Sequence, residues 1–214
     1  MILTPLTPDE LTATLARFEA ALAPDGLERR VFGRIAASRA ALGGDAARWH
    51  RDAVALAGDF GMRPIPEAPQ IAFSWDGGAV RTESEPAVLL HEVAHYQLAS
   101  PERRALPDFG LGAGPETGRI ATADAARRLD GPAREREEQM ASLLGILWEI
   151  ELGQPGIEAF QEQNWLEGAG RPSTADFFAA TLRRLRDGEL IDEEGRPRRS
   201  VRISADPVME IALT

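Results

Sequence analysis

The chain has 214 residues, 43% of them hydrophobic and 27% charged, which suits one domain with a real core. It contains no cysteine, excluding disulfide scaffolds, Cys-ligated zinc, iron–sulfur clusters and thiol nucleophiles. The formal net charge of −10 argues against a nucleic-acid partner, and because all 24 basic residues are arginine, lysine-nucleophile chemistry is excluded too.

Thr7-Pro8-Asp9-Glu10 opens a helix in capping-box form, with Leu11, Leu15, Phe18 and Leu22 at helical spacing and Pro24-Asp25-Gly26 as its stop. Leu27 to Leu42 reads as a second helix and Asp45 to Phe60 as a third, so residues 1–60 form an N-terminal helical unit. After the proline-punctuated stretch Met62 to Pro69, Gln70 to Trp75 is strand-prone. Asp76-Gly77-Gly78 is turn chemistry and Ala79 to Thr82 the return arm, which predicts a β-hairpin over 70–82. A helix follows from Ser84-Glu85-Pro86 to about Ala99. Ser100 to Gly131, rich in Gly, Pro, Asp and Arg, is too long for a plain connector and reads as a functional loop, a wall of the site. Pro132 to Leu152 is a long helix ended by Gly153-Gln154-Pro155-Gly156, and Thr174 to Arg186 is another. The tail is charged, then weakly strand-like at Ser200 to Ser204 and Val208 to Leu213. The reading is a single α+β domain, mainly α-helical, with its site-bearing core over 84–168 and a C-terminal helix and tail over 173–214. The chain shows no basic segment followed by an apolar one at its start and no run of the ~18 apolar residues a membrane helix needs. A cytoplasmic protein with no membrane partner is therefore expected.

One segment carries chemistry: His91-Glu92-Val93-Ala94-His95-Tyr96, a His-Glu-x-x-His motif on a helix. Residues four apart lie on one helical face, so two imidazoles can converge on one ion, and Glu92 can reach a water there as general base. Leu89, Leu90, Val93, Ala94 and Leu98 mark the helix as buried, and burying unpartnered polar groups would cost several kcal/mol. Only three histidines exist, and the third, His50, sits beside Trp49 and reads as a satisfied or surface residue. The peptidase branch with a further histidine six residues on is excluded, because that position is Pro101.

The third ligand should then be a carboxylate. Glu135, Glu137 and Glu138 precede an apolar run, and acidic residues in a first turn ordinarily complement the helix dipole. Glu138 differs because Ala141, Ser142 and Gly145 share its face, small residues that let a second helix pack closely on the first. Asp108, on the loop after the histidine helix, competes for the same role, and Glu137 stands beside it as a supporting group or alternative ligand.

His91-Glu-Val-Ala-His-Tyr96, then Arg103-Arg104, then Asp108-Phe109-Gly110 resembles the elongation factor P hydroxylase family, whose members show His-Glu-Ile-Ala-His-Trp followed by Asp-Phe-Gly. The similarity continues from Glu138 to Pro155, where Gly153-Gln154-Pro155 matches the family's Gly-x-Pro. It extends to Asn164-Trp165-Leu166-Glu167-Gly168 and covers the central third to half of the chain. The resemblance implies His91, His95 and Glu138 as ligands with Glu92 beside them, and oxygen-dependent hydroxylation of a modified lysine side chain on a protein. The chain departs from the family where Leu111-Gly112-Ala113-Gly114 replaces Tyr-Trp-Tyr and where Met140-Ala141-Ser142 replaces Lys-Pro-Gln.

Two enzymatic readings follow, both on a zincin-like helical core and both with a protein or peptide substrate. In the first the triad holds iron and the reaction is a hydroxylation. In the second it holds zinc, as in gluzincin-like peptidases, and Glu92 is the base that activates water, a role hydroxylation does not require. Tyr96 is one step from His95, about 100° off the metal face. It therefore makes a poor oxyanion partner, which leaves Arg119, Arg134 and Arg136 as candidate donors. A closed, metal-stabilised binding protein is the non-catalytic alternative.

Overall fold

The computed structural model describes residues 8–38 and 44–205. Among the described residues helix dominates and named strands are confined to one short parallel pair, so the mainly helical α+β architecture is observed. Helix α1 (Pro8–Ala21) buries Leu15 and Phe18; Thr7, the expected cap, lies outside the described residues. Helix α2 (Leu27–Ala37) buries Val31, Phe32 and Ile35 and ends sooner than its apolar pattern suggests. The reason is Ser38, whose hydroxyl donates to Ile35 O (2.6 Å) and accepts from Ile157 N (3.1 Å), closing the helix and fastening it to a later one. The rest of the expected helix, from Arg39 on to Leu42, lies outside the described residues. Helix α3 (Ala46–Asp59) is capped by Asp45, which accepts from Arg48 N at 2.9 Å.

The expected hairpin over 70–82 is not what forms. Pro69–Ile71 is a 3-10 turn, and strand β2 (Ala79–Arg81) pairs in parallel with β1 (Arg63–Ile65), which lies in the stretch read as proline punctuation. The turn itself is as expected: Asp76 Oδ1 accepts from Gly78 N and Ala79 N. Of the hairpin only the antiparallel bridge Trp75–Val80 survives, because the proline-initiated turn leaves Gln70 to Phe73 no extended arm.

Helix α4 (Pro86–Leu98) begins with proline at its first position and carries the histidines. It packs along α7 (Gly131–Glu151), and both are buried over much of their surface, Leu89, Leu90, Val93 and Ala94 against Ala141, Leu143 and Leu144 among others. Each such leucine contributes roughly 1.5–3 kcal/mol. Gly145 sets the separation. A Cβ there would stand 3.3 Å from the Cα of His91, tighter than ordinary contact, so the two helices approach backbone to backbone at the first histidine.

Between them, Ser100 to Gly131 is not one open loop but holds α5 (Pro101–Arg104), a tight turn at Pro107–Gly110 and α6 (Ile120–Ala125). Gly118 is pressed on the 3-10 turn so closely that a Cβ would fall 1.8 Å from Gln70 O. Helix α8 (Gly156–Glu162), unanticipated, adds Phe160 to an aromatic cluster with Phe18, Phe32, Trp165 and Phe178. That cluster joins α1, α2, α8 and α9 (Pro172–Asp187).

After α9 the chain buries Leu190 and Ile191 and returns along the end of α4. Gln97, fully buried, donates from Nε2 to Arg198 O (2.8 Å) and Ser200 O (2.7 Å) while its Oε1 accepts from Trp148 Nε1 (2.7 Å). Arg202 N donates to Gln97 O. The strand expected at Ser200 to Ser204 does not form, since this strap is tied to α4 rather than to a sheet; Val208 to Leu213 lies outside the described residues. No described helix is long and apolar enough to cross a membrane.

Candidate metal centre

His91 and His95, one turn apart on α4, turn their Nε2 atoms toward each other at 3.0 Å, with the rings edge to face. Glu138 reaches across from α7 and places Oε2 at 3.5 Å from His91 Nε2 and 3.4 Å from His95 Nε2. Atoms that bind one ion at about 2.1 Å with angles of 90–110° stand roughly 3.0–3.4 Å apart. The triangle of 3.0, 3.4 and 3.5 Å has the dimensions of a two-histidine, one-carboxylate centre, and among the described residues these three form such a group. Two basic nitrogens and a carboxylate aimed at one point suit a divalent cation, so the residues fit the expected metal.

The electrostatics agree. Burial works to raise the Glu138 carboxyl, but hydrogen bonds and charge from both imidazoles outweigh it and hold the group well below the usual carboxylate range. Burial lowers His91. Burial also works to lower His95, but Glu137 and Glu138 overcome it and push the ring up to about 10. The cluster that draws a proton to His95 would draw a cation in the same way.

Behind the triad lies a support layer. His95 is buried, its ring stacked on Phe109, and its Nδ1 is 3.7 Å from Glu137 Oε1 with no closer partner among the described residues. Glu137 in turn is gripped by both terminal nitrogens of Arg103, and Arg103 Nη1 also donates to Phe109 O at 3.0 Å. One buried guanidinium thus fixes the carboxylate beside His95 and the ring beneath it. Asp108 and Phe109 adopt positive φ of 43° and 53° to make that turn, a strained conformation for residues other than glycine.

The competing carboxylate, Asp108, lies outside the triad. Its Oδ2 accepts from Thr117 Oγ1 at 2.6 Å and its Oδ1 from Trp75 N at 3.4 Å, so its oxygens are committed to the loop. Tyr96 points away from the triad as its helical position requires, edge-on to Trp75 and under the Arg104 guanidinium. His50 is satisfied by Thr82 O at 2.6 Å. Among the arginines, Arg134 reaches to 3.9 Å from Glu138 Oε1, Arg136 lines a groove by the C-terminal strap, and Arg119 flanks α6 in an exposed position.

Two clefts meet at the triad. A smaller one, about 390 Å³, is walled by Glu85, Glu92, Asp108, Leu111, Glu116 and Thr117, so the segment after α5 does form one side of the site. Burial, reinforced by Asp108 and Glu138 and opposed by His95, raises Glu92 to about 8. The larger cleft, about 670 Å³, runs toward α9 past Gln139, Asn164, Trp165 and Phe177. His91, Glu138 and Gln163 line both. Sequence reasoning gave no role to Arg103 or Gln163; neither lies in a periodic pattern, and only the packing of distant segments reveals what each touches.

Comparison with protein-family models, curated proteins and solved structures found no significant match to this chain.

Proposed function

We propose that the protein is a metal-dependent enzyme acting on a protein or peptide substrate, with His91, His95 and Glu138 as ligands, and that it performs an oxygen-dependent side-chain hydroxylation like that of the elongation factor P hydroxylases it resembles. One observation carries this reading. The segments that bear the resemblance are dispersed in sequence yet assemble into one unit: Arg103 holds Glu137 and Phe109, Phe109 stacks on His95, and Glu138 completes the triad. His91, His95 and Glu138 would hold a ferrous ion, which would supply oxygen activation there. The chain's own residues supply the rest: the support layer fixes His95, Glu138 spans the two helices, and clefts open on either side of the site. Protein purified without added metal should carry about one equivalent of iron, as a two-histidine, one-carboxylate centre expects. Turnover of a lysine-containing protein substrate should stop without oxygen.

A second reading is favoured by Glu92, which lines the smaller cleft together with His91 and His95. In a zinc peptidase this carboxylate would take a proton from the attacking water. Glu92→Gln decides between them. A loss of about 10²–10⁴-fold under anaerobic conditions, with metal content unchanged, establishes hydrolysis. A mild effect on an oxygen-dependent activity supports hydroxylation.

A further inference from the structure

The larger cleft presents hydrogen-bonding side chains that make no bond to other described residues. Several of its polar side chains are already committed: Ser142 Oγ accepts from Trp165 Nε1 at 2.7 Å, and Thr174 Oγ1 donates to Gly168 O at 3.2 Å. Three carboxamides are not. Gln139, next to the ligand Glu138, and Gln163 and Asn164, at the end of α8, line the cleft without a side-chain hydrogen bond among the described residues. Gln163 Oε1 is buried as well as unpartnered, a costly arrangement for a carbonyl oxygen unless something else fills it. Beside these amides Phe177, 38% exposed, stacks on Trp165 with ring centroids 5.5 Å apart, an apolar shelf in an otherwise polar cleft.

A primary carboxamide presents donors and an acceptor together, the same pair of groups that a peptide unit presents in reverse. Several carboxamides along one wall therefore match a polypeptide backbone whatever its side chains are. A lone carboxylate or phosphate would leave each amide oxygen unmet. We propose that this cleft is a main-chain-binding subsite, in which the carboxamides of Gln139, Gln163 and Asn164 hydrogen-bond the backbone of an extended substrate segment while Trp165 and Phe177 receive one of its apolar side chains. The subsite holds the stretch flanking the reacting residue, because the same cleft is walled by His91 and Glu138. This deepens the reading of a polypeptide substrate and rests on it.

The test requires neither metal nor turnover. The probe is acetyl-Gly-Ser-Leu-Ser-Gly-Ser-amide, with a twin whose backbone nitrogens are methylated, titrated into the whole protein while the Trp165 indole N–H is followed by NMR. The expected result is a saturable shift of that resonance by the first peptide and binding weaker by about tenfold for the twin, which has lost its donors. Gln163→Met, and Asn164→Gly chosen because φ there is +64°, should each weaken the first peptide several-fold. The Trp148 indole, remote from the cleft, should stay in place as proof of folding. The parent protein treated with excess chelator should bind the peptide as the untreated protein does, so failure of the metal assignment would leave this measurement intact. Failure of the peptide to bind at tens of millimolar, or equal binding by the methylated twin or by both carboxamide variants, would overturn the subsite while leaving the metal centre untouched. Should Gln163→Met disturb the fold, Phe177→Ala takes its place, with loss of preference for Leu over Gly at the third peptide position as the expected readout.

Discussion

Glu137 and Glu138 are neighbours on α7 with opposite duties, and the difference comes from 100° of helical rotation. Glu138 turns into the cleft and meets both imidazoles; Glu137 turns inward and meets Arg103. Glu138→Ala should therefore abolish stoichiometric metal binding, as should His91→Ala, measured by metal analysis after desalting. Retention of one equivalent in either variant rejects the ligand set. Glu137→Gln is predicted to behave differently. It keeps the side-chain shape but removes the charge beside His95 Nδ1, so affinity should fall by about 10–100-fold rather than vanish. It also strips the buried Arg103 of its counter-ion, a change that typically costs about 3–5 kcal/mol, so a calorimetric melt should fall together with the metal affinity. A variant with weakened metal but an unaltered melt would mean that Arg103 is solvated, contrary to its burial.

At the scale of elements, the site depends on how near α7 comes to α4, and Gly145 is the residue that allows it. Gly145→Val would drive a branched side chain into the His91 backbone. A loss of about 1–3 kcal/mol is expected, with metal affinity falling because Glu138 retreats with its helix. An unchanged melting temperature would show that the helices can separate freely. This close approach was legible in the sequence, because small residues spaced along Glu138's face have few other uses on a buried helix. So was the histidine pair, whose spacing matches the helical repeat. The parallel pairing of β1 and β2 was not legible, since it joins residues 63–65 with 79–81 and no local pattern reports a partner that far away. The end of α2 at Ala37 was hidden for a similar reason: Ser38 is a weak stop on its own, and it becomes firm only when Ile157 N arrives from α8. Within 100–131 composition pointed to a loop beside the site, and residues of this segment do line the smaller cleft. Its turns are fixed by contacts such as Gly118 against Gln70 and Asp108 against Thr117, which composition does not contain.

For the whole molecule, the most revealing titration lies away from the triad. Glu149, on the buried side of α7, has one oxygen without a partner among the described residues. Burial, with Glu162 and Glu158 nearby, raises it from an ordinary 4.5 to about 8. The folded state therefore holds a proton that the unfolded chain releases near pH 4.5. The stability from this group is complete below that pH and is lost as pH rises toward 8. Urea midpoints should fall across this window in the parent protein. Glu149→Gln should flatten that fall and be more stable at pH 8 by roughly 1 kcal/mol or more, since a tenfold change in proton affinity is worth about 1.4 kcal/mol. Identical slopes for the two proteins would show that the carboxylate finds water or a partner. Removing metal by chelation should lower the melt in proportion to the logarithm of affinity, because only the folded chain assembles ligands from two helices.

The strap across the end of α4 has one more consequence. Gln97 stands two residues after the second histidine, and its carboxamide and main-chain carbonyl hold Arg198, Ser200 and Arg202. The last turn of the histidine helix is thus a shared tether for the strap and for Trp148 of the carboxylate helix. Cutting after Arg199, an exposed arginine, would free Ser200 and Arg202 from the tether and leave the fully buried Gln97 short of partners two residues from the proposed ligand His95. Retention of the ion then becomes a gauge of whether this distant stretch of chain is intact, and a protease nick more than a hundred residues away in sequence should be felt first as a leak of metal.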